Sequence, residues 1–300
     1  MTDTTKSDRE KKAEQTALIG IAVAAILGLI FAFLGASGGE SIGPIKSFTL
    51  LVFLAFAINI AVFVPSFASR TDHYYDLTGS ITYITVTAVA LITTDEVDTR
   101  TLLAGLMIFV WAGRLGTFLF ARVKKSDGDR RFDQIKQSAV RFLMAWMLQG
   151  LWVSLTAGAA YAAITSGAKT SFGVLGVVGL LLWVAGFAIE VVSDNQKSAF
   201  KKDPTNEGRF INVGLWRWSR HPNYFGEIML WTGMAIMVLP ALSGLQYATL
   251  ISPVFVFVLL TRVSGVPLLE RRADKKWGGE PDYDEYKANT PVLAMRPPRS

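Results

Sequence analysis

The sequence predicts an all-α, polytopic membrane bundle of about seven to eight transmembrane helices with both termini in the cytoplasm. Three observations lead there. Of the 300 residues, 51% are hydrophobic and 18% charged, a balance too apolar for an ordinary soluble domain. Several runs of roughly 20 residues carry few or no charges, the length that crosses a hydrocarbon core about 30 Å thick. Basic residues also gather in alternate loops, as the positive-inside rule requires.

Eight spans follow in order, at residues 16–36, 48–67, 77–93, 101–121, 140–164, 172–192, 224–239 and 245–263. The first follows a charged tail, and Gly35-Ala36-Ser37-Gly38 is a weak cleavage signal, so it reads as a retained helix and not a signal peptide. The third is the most polar, with Asp76 at its start and several Thr residues along it. With Lys6, Arg9, Lys11 and Lys12 in the cytoplasm, alternation leaves only Lys46, Arg100 and Lys169 in outer loops. The loop from Ser193 to Asn223 then faces the cytoplasm, where soluble cofactors are found.

Residues 1–15 read as a disordered polar tail, residues 16–290 as one membrane domain whose 185–290 part binds a cofactor, and residues 291–300 as a Pro-rich tail. The net charge of +6 fits cytoplasmic loops and anionic membrane lipids, and no nucleic-acid partner is expected. With no cysteine and only His73 and His221, neither disulfides nor a His-rich metal site is expected.

The chemistry concentrates late in the chain. Glu190 and Asp194 are spaced i, i+4 at the end of the sixth span, and Asp194 opens a polar run suited to amide and hydroxyl groups. Lys201 and Arg209 follow, and the planar guanidinium of Arg209 suits phosphate. Next comes Gly214-Leu215-Trp216-Arg217-Trp218-Ser219-Arg220-His221-Pro222-Asn223-Tyr224-Phe225-Gly226-Glu227, which runs into an apolar helix. Within it Arg220 and His221 can hold phosphate or carboxylate, Pro222 fits a first helical turn, and Asn223 and Glu227 are i, i+4 neighbours beside Tyr224. No Gly-rich dinucleotide or P-loop fingerprint occurs, so side chains must hold any nucleotide. The later Leu268-Leu269-Glu270-Arg271-Arg272, Lys276-Trp277-Gly278 and Tyr283-Asp284-Glu285-Tyr286 form a second polar cluster, expected as an interfacial helix that covers the site with Glu270 and Tyr286 inward.

Asp194, Arg209 and the run from Gly214 to Glu227 resemble the C-terminal domain of the steroid 5-alpha-reductase family, in particular its uncharacterised bacterial membrane branch. Trp111-Ala112-Gly113-Arg114-Leu115-Gly116 and Asp129-Arg130-Arg131-Phe132 resemble that branch too. The resemblance implies an integral enzyme of the bacterial inner membrane. It would use NADPH to reduce a carbon–carbon double bond conjugated to a carbonyl, in a lipophilic substrate drawn from the bilayer. It further implies that Asp194, Asn223 and Glu227 bind polar parts of the dinucleotide, while Arg209, helped by Lys201, holds phosphate. The family's proton-donating Glu and Tyr are not matched: Trp111 stands near the Tyr position, three residues before Arg114. The best upstream acids are Asp76, Tyr74, Tyr75 and Tyr83, of which Asp76 and Tyr83 are i, i+7 on one helix face. The chain is also similar to isoprenylcysteine carboxyl methyltransferases, which share the Arg-His-Pro-x-Tyr-x-Gly pattern and use S-adenosylmethionine. A non-catalytic lipid-binding membrane protein is the third reading.

Overall fold

A computed structural model describes residues 3–125 and 132–298, with the side chains of residues 3–7 and 118–125 outside the described set. It is a helical protein. Seven helices among the described residues are long and apolar enough to cross a membrane. They account for every expected span but the fourth, where α4 (Thr99–Lys125) stands; its side chains are described only as far as Thr117. The chain divides into two compact units, residues 1–172 with 238–251, and residues 173–237 with 252–300.

The first unit holds α1 (Asp3–Gly35), α2 (Ser47–Ala68), α3 (Tyr75–Thr93), α4 and α5 (Ala139–Ile164), with a two-residue hairpin, Ser41–Ile42 against Ile45–Lys46, between α1 and α2. α1 is helical from Asp3, upstream of its apolar run and through residues read from the sequence as a disordered tail. From Lys6 on, the segment is rich in Lys, Arg, Glu and Gln, whose straight side chains favour helix.

Rings packed on glycines join these helices. Phe56 of α2 lies against Gly28 of α1 and Gly150 of α5, and Phe31 lies against Gly158. Absent side chains let backbones approach closely, which matters where lipid supplies no hydrophobic drive between helices. The polarity of the third span is explained by its burial. Thr78, Ser80, Thr82, Tyr83 and Thr87 of α3 are all buried, and Asn59 of α2 donates to Thr82 Oγ1 at 3.3 Å. The Thr hydroxyls at 78 and 82 also donate to the carbonyls four residues back, so they leave no donor bare in the bundle.

The expected charge alternation is visible in this unit. Lys46 donates to Gly39 O, Lys169 pairs with Glu40 at 3.4 Å, and Arg100 donates to Ser171 O, all at the end where α5 finishes. At the other end Lys136 pairs with Asp72 at 2.9 Å, and Arg70 donates to the Lys136 and Gln137 carbonyls.

The second unit holds α6 (Gly173–Lys202), α7 (Pro222–Val238), α8 (Ile251–Val258), α9 (Gly265–Trp277) and α10 (Pro281–Asn289). α6 and α7 run antiparallel along a seam of four glycines. A Cβ on Gly186 would stand 2.6 Å from Gly226 O, and one on Gly226 would stand 2.6 Å from Gly186 O. Gly179 and Gly233 repeat this two turns away, at 2.5 and 2.6 Å. The seam carries on into polar residues, for Gly226 also touches the backbone of Glu190. Beyond α8 a π-helical turn, Leu259–Val263, is closed by Ser264 N donating to Leu259 O at 2.9 Å. It separates the apolar α8 from the charged, amphipathic α9.

Candidate functional site

The glycine seam sets the registry of the polar end of α6 and α7. One turn past Glu190 lies Asp194, and one turn before Gly226 lies Asn223; the Asn223 amide donates to Asp194 Oδ1 at 3.3 Å. Glu190 is buried, while Asp194, Asn223 and Glu227 are half-buried. Three of the expected cofactor residues therefore sit together on two helix ends.

The last turns of α6 also shape the loop that follows. Gln196 accepts from Leu215 N at 2.9 Å, Ser193 O accepts from Trp216 Nε1 at 3.0 Å, and Lys197 lies 4.5 Å over the Trp216 ring. Gly214 must be glycine: its φ is +57°, and a Cβ there would stand 2.5 Å from the Gln196 amide. This short turn delivers Arg220 and His221 to the start of α7.

Arg220 and His221 meet Glu270 of α9. The guanidinium lies 3.0 Å from Glu270 Oε2 and the imidazole Nε2 2.8 Å from Oε1. Arg220 Nη1 also donates to the Lys287 and Thr290 carbonyls at 2.6 and 3.0 Å. One side chain thus ties the pre-α7 loop to α9 and to the end of α10. The tail after α10 reinforces this: Arg220 N donates to Pro291 O, Arg296 N to Trp218 O, and Ser219 Oγ to Leu293 O. The Pro-rich tail is part of the site's frame. Tyr224 stacks on the far face of His221, ring centroids 5.6 Å apart.

Between α6, the loop and α9–α10 lies a cleft of about 290 Å³. Its wall is aromatic. Phe210 packs at 5.3 Å on Tyr286 and at 6.1 Å on Trp277, and Trp216 and Tyr283 also line the space. Tyr286 donates to Trp216 O at 2.7 Å. Burial holds its phenol well above the usual range, with the Glu270 charge and Tyr283 adding to the rise and Arg220 opposing it. Phe200, Ile211, Leu269 and Ala273 add apolar lining, and the charged lining is mostly cationic: Lys197, Lys201, Arg209, Arg220, Arg272 and Lys276, against Glu270 as the lone carboxylate among the lining residues. Glu270 is already matched by Arg220 and His221. Such a donor set suits a polyanion that carries a flat ring.

The family profile described as "Protein of unknown function (DUF1295)" matches residues 62–290, well over half the chain. The chain belongs to the DUF1295 family. This DUF1295 protein is 26% identical over 160 residues to "Uncharacterized protein C594.04c" of Schizosaccharomyces pombe, covering 44% of this chain and 46% of that one. It is 28% identical over 122 residues to "Probable O-methyltransferase ustE" of Ustilaginoidea virens, 41% of each. It is 31% identical over 110 residues to "Steroid 5-alpha-reductase DET2" of Gossypium hirsutum, 37% of this chain and 38% of the relative. The chain thus spans less than half the length of the curated relatives it matches. No solved structure gives a significant match.

In the DUF1295 protein the expected cofactor residues fall into two groups. Lys201, Arg209, Arg220 and His221 line the cleft. Asp194, Asn223, Tyr224 and Glu227 do not; they stand on the helix ends behind it. Sequence reasoning marked the opposite wall as a polar cluster covering the site, but gave inward roles only to Glu270 and Tyr286 and none to Arg272, Lys276 and Trp277 of α9. The i, i+4 spacing of Arg272 and Lys276 was the available signal. Glu270 and Tyr286 do face the cleft. Among the described residues no cluster of His, Asp or Glu is able to hold a metal ion. Arg130 and Arg131 lie outside the described residues, as does the side chain of Arg122.

The expected acids belong to the first unit. Asp76 is in the first turn of α3 and half-buried, and Tyr83 is buried two turns on. The Tyr83 ring meets Trp111 edge-on, centroids 5.1 Å apart at 88°. A phenol therefore stands beside the residue that occupies the expected Tyr position.

Proposed function

We propose that this protein is a membrane-embedded, NADPH-dependent reductase of a carbon–carbon double bond conjugated to a carbonyl, acting on a lipophilic steroid- or isoprenoid-like substrate. The observation that carries the reading is the charge of the cleft, with six cations against one carboxylate around an aromatic wall. A dinucleotide phosphate carries several negative charges and a flat base, and both find partners there. The similarity to a steroid 5-alpha-reductase supports the same reaction class.

When bound, NADPH supplies hydride to the carbon beta to the carbonyl. The chain's own residues do the rest. Lys201 and Arg209 hold phosphate within the cleft, while Asp194, Asn223 and Glu227, outside its lining, meet only those hydroxyl and amide groups of the dinucleotide that extend past it to the ends of α6 and α7. Arg220 acts mainly as the clamp that fixes His221 and α9, since four of its contacts go to Glu270 and two carbonyls. Tyr83 or Asp76 gives a proton toward the carbonyl side as charge develops there. The cleft faces the cytoplasm of a bacterial inner membrane.

The second reading is an S-adenosylmethionine-dependent membrane methyltransferase, favoured by the similarity to a probable O-methyltransferase. Its cofactor has no phosphate and bears a sulfonium, which the cationic rim disfavours. A thermal-shift comparison in detergent separates them. NADPH should raise the unfolding temperature and S-adenosylmethionine should not. The reverse result would transfer the protein to the methyltransferases, and no shift with either would favour a lipid-binding protein without catalysis.

A further inference from the structure

We infer that α9 carries the element that selects a phosphorylated dinucleotide: Arg272 and Lys276, together with Arg209, form a phosphomonoester subsite beside the aromatic wall. The inference rests on the reductase reading and goes beyond it, because it says which cations distinguish NADPH from NADH.

The cations of the cleft are not equivalent. Arg220 is engaged by Glu270 and by two backbone carbonyls. Lys197 and Lys201 stand on the last turns of α6, with Lys197 over the Trp216 ring. Arg272 and Lys276 stand one turn apart on α9 and both line the cleft, so their side chains lie on one helix face. Arg209 joins that pair. Its neighbour Gly208 accepts from Trp277 Nε1 at 2.6 Å, and its other neighbour Phe210 packs on the Trp277 ring at 6.1 Å. Trp277 follows Lys276 directly, and Lys276 Nζ lies 4.5 Å over its ring. Three cations of the cleft lining thus come from the two segments that meet at Trp277. Among the described residues, none of the three has a carboxylate within salt-bridge distance.

In a phosphorylated dinucleotide, the extra phosphate sits on the same ribose as the adenine. A site that reads it needs cations next to the surface that receives the base. The Phe210, Trp277 and Tyr286 rings beside Arg209, Arg272 and Lys276 provide that adjacency. The α6 lysines are left for the pyrophosphate. A phosphomonoester bears up to two charges and accepts forked guanidinium bonds, so two arginines and a lysine suit it better than a singly charged diester.

The test uses 2′,5′-ADP and 5′-AMP as probes that differ mainly in the phosphate on the ribose, with NADPH and NADH alongside, all titrated onto the full chain in detergent. The wild type should bind 2′,5′-ADP about ten-fold or more tightly than 5′-AMP, and NADPH likewise over NADH. Arg272→Ala with Lys276→Ala should bring both ratios to about one while leaving NADH affinity within about two-fold. Lys275→Ala, on the same helix but outside the cleft lining, should leave both ratios unchanged. NADPH binding with ratios that the double variant does not lower would overturn the subsite and leave the reductase reading standing. Failure of every dinucleotide and of 2′,5′-ADP to bind would remove both.

Discussion

Asn223 reaches Asp194 at the polar end of the glycine seam along which α6 and α7 touch backbone to backbone. Its amide donates to the Asp194 carboxylate at 3.3 Å, one turn beyond the mutual contact of Gly186 and Gly226. The packing of two apolar helices therefore decides where two polar residues meet. Three groups expected to hold a cofactor depend on glycines that touch no cofactor themselves.

Gly226→Ala should consequently damage binding from a distance. The added methyl would stand 2.6 Å from Gly186 O, against backbone that cannot rotate away. We expect a stability loss of about 1–3 kcal/mol and weaker NADPH binding, read by thermal unfolding and by titration. Gly113→Ala, inside α4 where an added Cβ meets nothing within 4 Å, should leave binding unchanged and raise stability by up to about 1 kcal/mol.

Glu270 is the hub of the clamp, and its removal leaves the Arg220 guanidinium and the buried His221 imidazole without their shared partner. Glu270→Ala should cost about 2–4 kcal/mol, because Arg220 and His221 lose their shared acceptor. Glu270→Gln retains one acceptor oxygen and should cost less. Chemical denaturation of the three proteins gives the order wild type, Gln, Ala. Equal stability of wild type and Ala would show that the clamp contributes nothing.

Tyr286 makes an alkaline prediction. Burial raises its phenol above the ordinary value of 10.0, so the folded protein holds this proton more tightly than the unfolded chain. Its contribution is complete below pH about 10 and is lost as pH rises toward the folded value. Tyr286→Phe removes that titration along with the bond to Trp216 O, at a cost of about 1 kcal/mol near neutrality. Stability measured from pH 8 to 11 should fall less steeply in the variant than in the wild type. Parallel slopes would contradict the assignment.

Tyr83→Phe tests the proton donor. It keeps the edge-on contact with Trp111 and removes only the hydroxyl. Turnover of an enone lipid should fall at least about 100-fold with NADPH affinity unchanged. Turnover near the wild-type rate would pass the role to Asp76 or to another group.

Much of the fold was legible because membrane helices announce themselves by length and composition. Even the polar third span was readable, and its Thr-rich face turned out to be the buried one. The candidate site was legible in part. Spacing within a helix marked Asn223 with Glu227 and Glu190 with Asp194, but no spacing reveals that Asn223 meets Asp194 across a seam. Arg220 was marked as an anion holder, correctly by chemistry, yet its anion is Glu270, fifty residues on in the chain. The α9 wall was legible only as a cluster covering the site. Within Glu270-Arg271-Arg272 the sequence pointed Glu270 inward, and only the fold shows that Arg272 and Lys276 line the cleft with Phe210 and Trp277.

The central claim is that the cationic aromatic cleft holds a phosphate-bearing dinucleotide, and NADPH titration of the wild type against Lys201→Ala with Arg209→Ala tests it most directly. Micromolar binding that weakens with added salt, and that the double variant weakens about ten-fold or more, is the predicted result. Equal affinity in both proteins, or S-adenosylmethionine binding where NADPH does not, would contradict it.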